Sequence, residues 1–148
     1  MTDSRVLSSD RVGPGSVSVT RTGARSFEGQ NERGDTVRIG PAEMPGHFTP
    51  GELFKLALAG CAGMSSDRVI ARRLGEDFEE KIWAHGTSDE KKDRYFAVDE
   101  EMLLNLDALS VAERNKLMTI IRKSIDSSCT ISRSVKGSVD ISLTVDGS

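Results

Sequence analysis

The residues best equipped for chemistry in this sequence are two cysteines, Cys61 and Cys129. They stand 68 positions apart, so only the fold can bring them together. Two readings are open at this level. Free cysteine is among the most buried residue types, so both could be small core hydrophobes. The other reading is a redox-active or catalytic pair, the commoner use of paired cysteines where disulfides are not kept. A reducing cytoplasm is the default here. The chain opens Met1-Thr2-Asp3-Ser4-Arg5 with no apolar segment behind it, so no secretory signal is expected. Two cysteines and two histidines are too few for a standard Cys/His zinc site, and neither metal nor cofactor is expected. A Gly-rich phosphate loop, a paired-carboxylate signature and an H-E-x-x-H motif are all absent.

The elements that must position these cysteines follow from the hydrophobic pattern. The 148 residues fit one domain, 1–148, with 1–16 as a loose arm in which a short strand is expected at Val6-Leu7. Lys and Arg total 20 against 23 Asp and Glu, a net charge of −3 that excludes a broad basic footprint, so no nucleic-acid partner is expected. No run of about 18 apolar residues is present, so no membrane span is expected. Aromatic residues make up only 5%, which leaves the core to Leu, Ile, Val and Ala.

Period-two alternation predicts strands at Val17–Thr20, Ser26–Glu28 and Thr36–Ile39, joined by turns at Thr22–Arg25 and Asn31–Asp35. After a Pro/Gly loop over 40–48, Thr49, Pro50 and Glu52 form a capping box that opens a helix, with Gly75 as its stop. The first half of this helix is apolar all round, so it must be buried in the protein or in an interface. Two further strands are expected, one over Phe78–His85 and one over Tyr95–Leu106, the latter with Phe96, Val98, Met102, Leu104 and Leu106 on one face. Ser110 and Glu113 form a second capping box, and Leu117, Ile120, Ile121 and Ile125 give that helix one apolar side. A short turn or helix follows Cys129, and Val139–Val145 closes the chain as a strand. The order βββ–α–ββ–α–β describes an α+β fold of antiparallel strands around one central buried helix.

The stretch from Thr49 to Cys61 resembles the x-P-E-x-L-x-x-A-x-x-x-C core of the OsmC/Ohr family of organic hydroperoxide reductases. Cys129-Thr130-Ile131-Ser132-Arg133 resembles that family's second box, usually Cys-Pro-x-Ser, and Thr22-Gly23-Ala24-Arg25 is similar to its T-G-G-R turn. The element order matches the family's as well, so the resemblance covers most of 17–145. It implies an intertwined homodimer with active sites at the dimer interface. It further implies a peroxidatic thiol at Cys61, a resolving thiol at Cys129 and a thiolate-pairing cation at Arg25. The implied partners are an organic hydroperoxide and a dithiol reductant, lipoyl-type or other. Arg21 is a weaker alternative for the cation, and the commoner fate of a turn arginine is solvation.

Two positions depart from the family pattern. Gly51 stands where the family's arginine-orienting glutamate follows the proline, and Glu52, about 100° round the helix, belongs to the capping box. Thr130 stands where proline follows the resolving cysteine. Phe27, Met44, Phe48, Phe54 and Met64 are candidate pocket residues with core packing as their default, while His47 and His85 are expected to face solvent. Besides a thiol-dependent peroxidase, a binding protein for a small apolar ligand and a homodimer with inert thiols fit the same sequence.

Overall fold

The computed structural model describes residues 7–146. Its elements are β1 (Ser18–Gly23), β2 (Ser26–Gln30), β3 (Thr36–Ile39), α1 (Pro50–Leu74), β4 (Glu80–Asp89), β5 (Arg94–Leu104), α2 (Val111–Ser128), α3 (Thr130–Ser134) and β6 (Asp140–Asp146). This is the α+β order read from the sequence, with the short turn or helix expected after Cys129 formed as α3. Val6 lies outside the described residues, and Leu7 is not in a strand. Among the described residues, no helix is long and apolar enough to cross a membrane.

The chain forms two compact units, Met1–Glu52 and Leu53–Ser148. The first is the meander β1-β2-β3, antiparallel throughout. Val19, Gly29 and Val37 lie in one cross-strand row and Arg21, Phe27 and Ile39 in the next row of the same face. The alternate residues, Ser18, Thr20, Glu28, Gln30, Thr36 and Arg38, are exposed. The loop after β3 is closed by its own backbone: Phe48 N–H donates to the Arg38 carbonyl at 2.8 Å and Gly40 N–H to the Phe48 carbonyl at 3.1 Å.

The second unit packs α1 and α2 on the sheet β4-β5-β6. Its core joins Ala62 and Ile70 of α1, Met102 and Leu104 of β5, and Leu117, Ile121 and Ile125 of α2, with Leu106 and Cys129. Both helices start where the capping boxes place them. Thr49 N–H donates to Glu52 at 2.8 Å and Glu52 N–H to the Thr49 hydroxyl at 3.1 Å; Ser110 and Glu113 exchange the same pair of bonds. Gly75, at φ 98, ends α1 with its N–H on the Ala71 carbonyl. The Tyr95 ring lies over the backbone of Gly86, where a Cβ would stand 2.7 Å from it, and stacks on Phe54 with centroids 6.0 Å apart. That contact ties the start of α1 to the β4–β5 hairpin.

Two expectations are corrected. β6 runs parallel to β5, not antiparallel, because α2 and α3 carry the chain back across the sheet before it enters the last strand. Within the chain only part of the first half of α1 is covered: Leu58, Ala59 and Ala62 are buried, whereas Leu56 is 51% and Met64 85% exposed, the side for which the expected interface stays open. Phe96 is 45% exposed, and the core face of β5 is Val98, Glu100, Met102 and Leu104.

Glu100 is thus a carboxyl on an apolar face. It is 1% exposed, and its Oε1 has no hydrogen-bond partner. Burial, with the adjacent Asp99 charge adding to it, pushes this carboxyl up to about 7. The unfolded chain loses that proton near pH ~4.3, so the folded form holds one proton more between the two values. Stability is therefore expected to fall as pH rises from about 4.3 through about 7, by roughly 3–4 kcal/mol, and then to level off. Urea-unfolding midpoints across this range test it: Glu100→Gln should remove that part of the decline, and an unchanged slope would sink the assignment.

Candidate thiol site

The buried side of α2 repeats every four residues, through Leu117, Ile121 and Ile125, and the next step on that spacing is Cys129. Cys129 caps α2, its N–H on the Ile125 carbonyl at 2.8 Å, and is itself fully buried. It is also the residue from which α3 starts. Cys61 sits at the edge of the buried side of α1, half-exposed, one residue before Ala62. The packing of α1 against the α2–α3 junction brings Cys61 against the cluster that holds Cys129, and both are free thiols.

The two sulfurs are not equivalent. Burial raises the Cys61 thiol. Hydrogen bonds from the Cys129 side chain, the Ile131 backbone, the Ser65 hydroxyl and the Thr130 backbone outweigh it, and the net shift is downward. Cys129 moves the other way. Burial raises it, and so do the bond to Cys61 and the charge Cys61 carries as thiolate, against smaller opposing bonds from Ser132. Cys61 is the acidic thiol and Cys129 the protonated donor, a polarity suited to Cys61 as nucleophile.

The backbone donors come from the first turn of α3, whose opening N–H groups have no carbonyl within the helix to bond. Thr130 is the first residue of that turn. At this position a proline would have no N–H to give. Beside Cys61 the surface opens into a depression of about 620 Å³, lined by Leu56, Ala57, Gly60, Met64, Ser65 and Ile131 among others. Of the candidate pocket residues, Met64 lines it and Phe54 packs on Tyr95 instead; Phe27, Met44 and Phe48 belong to the first unit.

Arg25 also belongs to the first unit, where it is exposed in the Ala24-Arg25 turn with φ 55. Gly51 is the second residue of α1, and Glu52 is engaged in the cap. His85 is exposed and pairs with Glu101 at 3.0 Å. His47 is not the solvent-facing residue expected: it is half-buried, with Nε2 3.3 Å from the Ser26 hydroxyl. Neither the role of Ser26 nor that of the Thr130 N–H is visible in residue types. Only the position of Thr130 where a proline is usual marked that site.

Thr130→Pro isolates one donor. Proline is favoured at the first position of a helix. The preceding Cys129 already has the extended backbone that proline requires, at φ −78 and ψ 96. The substitution should leave the fold intact and raise the Cys61 titration, read from thiolate absorbance against pH. Thr130→Ala, which keeps the N–H, should not shift it. Equal titrations in the two variants would remove the Thr130 N–H from the site.

Comparison with known proteins gives the family. A family model described as OsmC-like protein matches residues 40–144. Uncharacterised proteins of Mycobacterium tuberculosis and Mycobacterium bovis are 39% identical over 127 residues, covering 86% of this chain and 93% of theirs. A hypothetical protein from Aquifex aeolicus superposes with TM-score 0.73 at 17% identity, over 91% of this chain and 96% of its own. The organic hydroperoxide resistance protein OhrB of Bacillus subtilis gives 0.61 at 17%, over 90% and 98%. An OsmC-like protein of unknown function from Vibrio cholerae gives 0.67 at 15%, over 91% and 100%. At these identities the structural likeness carries the fold, while the family model carries membership: this chain belongs to the OsmC-like protein family.

Proposed function

We propose that this protein is a thiol-dependent peroxidase that reduces organic hydroperoxides through Cys61 and Cys129. The observation that carries the reading is the juxtaposition of half-exposed Cys61, beside an open depression, with buried Cys129 in the adjoining core; the lowered Cys61 and raised Cys129 agree with it. The Cys61 thiolate attacks the distal peroxide oxygen, the O–O bond breaks, and the alkoxide leaves as an alcohol after taking a proton. Cys61 is then a sulfenic acid. Cys129 attacks that sulfur, a disulfide forms and water leaves. A dithiol reductant takes the disulfide by exchange and returns both thiols. Two electrons pass from the dithiol to the peroxide in each cycle.

A buried resolving thiol beside a half-exposed attacking thiol supports this order of events, because peroxide meets Cys61 first. The apolar residues Leu56, Ala57 and Met64 beside Cys61 fit an alkyl group better than bare hydrogen peroxide. Arg25 is the proposed cation, since a planar guanidinium can hold both a thiolate and a peroxide oxygen. The working unit is proposed to be a homodimer; the exposed apolar side of α1, with Leu56 and Met64, supports a covering partner. A cytoplasmic location is proposed on the same reading, since the cycle needs a reducing compartment.

Stopped-flow mixing with cumene hydroperoxide tests the chemistry. One thiol should be consumed fast, Cys61→Ser should abolish the reaction, and Cys129→Ser should still turn over once and stop at the sulfenic acid. Two slow thiols, with melting raised by small apolar ligands, would overturn the peroxidase and favour a binding protein.

Arg25→Ala should slow the first step by one to two decades, the loss of one charged partner worth roughly 1–3 kcal/mol. An unchanged rate would clear Arg25.

A further inference from the structure

The hairpin that carries Arg25 is built against its own backbone preference. Gly23 pairs with Ser26, so Ala24 and Arg25 alone connect the strands, and the register slips between Arg21 and Gly23. Two-residue hairpins favour glycine or asparagine where φ is positive. Here Arg25 takes φ 55. An L side chain enters that region reluctantly and stays only where its surroundings over-determine it.

The surroundings are a chain of hydrogen bonds whose polarity can be read link by link. His47 Nδ1 lies 2.8 Å from the Pro45 carbonyl, an acceptor, so Nδ1 carries the proton and donates. In the neutral ring Nε2 is then an acceptor, and the Ser26 hydroxyl donates to it at 3.3 Å. With its own proton committed, Ser26 Oγ accepts from the Thr22 hydroxyl at 2.7 Å. Thr22 and Ser26 flank the turn, so the chain ties both feet of the hairpin to His47. His47 is held in turn by the closed loop, and its ring packs over Gly40, where a Cβ would stand 3.1 Å from Cδ2. A serine bonded to a histidine could also be read as nucleophile and base. Ser26, however, is 8% exposed and already both donates and accepts, which suits a structural tie and not attack on a substrate.

We propose that Ser26 and His47 are positioning residues that fix the direction in which Arg25 leaves the hairpin. The inference rests on the reading of Arg25 as the cation of the thiol chemistry, and it supplies an orienting device in a chain whose position 51 is glycine.

Two measurements on the full chain test it. In nitrogen-15 relaxation, the Arg25 amide should lose order in Ser26→Ala and in His47→Ala, from about 0.85 to below about 0.6. His47→Gln, whose amide oxygen can accept from Ser26, should restore it. In single-turnover oxidation by cumene hydroperoxide, His47→Ala should slow Cys61 about tenfold, and His47→Gln should recover most of that. A merely structural loss would add to the loss of Arg25, whereas a positioning role predicts that the Arg25→Ala, His47→Ala double variant is no slower than Arg25→Ala alone. An amide that stays rigid in His47→Ala overturns the proposal, as does an equal slowing with and without Arg25. If Arg25→Ala alone leaves oxidation unchanged, the cation reading falls. The relaxation arm then still decides the hairpin tie, lost order supporting it and retained order overturning it.

Discussion

The contact on which the candidate site depends is the packing of Cys61 against the core cluster that holds Cys129. A buried thiolate is unfavourable on its own, since desolvation disfavours the charged form. The fold offsets that cost by convergence of donors. The four-residue repeat of α2 delivers Cys129 to the end of the helix. The chain then begins α3 in the same place, so that otherwise unbonded backbone N–H groups face the sulfur. Ser65, one turn beyond Cys61 on α1, completes the set. Shifting α2 by one residue would turn Cys129 about 100° from the core and leave Cys61 with burial and few donors.

Much of this architecture was legible because local and global signals agree. Thr49 with Glu52, and Ser110 with Glu113, mark both long-helix starts because capping is a local exchange of two hydrogen bonds. The strand Thr36–Ile39 and the stop at Gly75 follow from equally local rules. The parallel pairing of β6 with β5 was not legible, because strand direction is set by the crossover and not by alternation. The open side of α1 was half legible: an all-apolar helix demands cover, but its residues do not say which side finds cover within the chain.

The site divides along the same line. The two cysteines could be named from type and context, and their unequal acidity could not, because it comes from backbone groups that every residue carries. Thr130 illustrates this. As a substitution for proline it reads as a loss of turn rigidity; in the structure its N–H is among the groups that lower the Cys61 thiol. His47 shows the converse error. A histidine in a Pro/Gly loop reads as solvated, yet the loop closes on Arg38 and Phe48 and brings the ring back to Ser26.

The left-handed Arg25 and the unpartnered Oε1 of Glu100 run against local preference. Sequences tend to break their own rules at functional or strained positions, which makes both worth explaining. Arg25 has a chemical rationale, but the donors around Cys61 narrow it. Charge-assisted hydrogen bonds are worth about 1.5–3 kcal/mol each, so several of them already offset the burial of the thiolate. The lowered Cys61 is accounted for by burial opposed by those bonds. If Arg25 serves the proposed reaction, its contribution therefore belongs less to making the thiolate than to the negative charge that grows on the departing alkoxide as the O–O bond breaks. That is a charge the hydrogen bonds to sulfur do not reach, and a guanidinium held in one direction is suited to meet it.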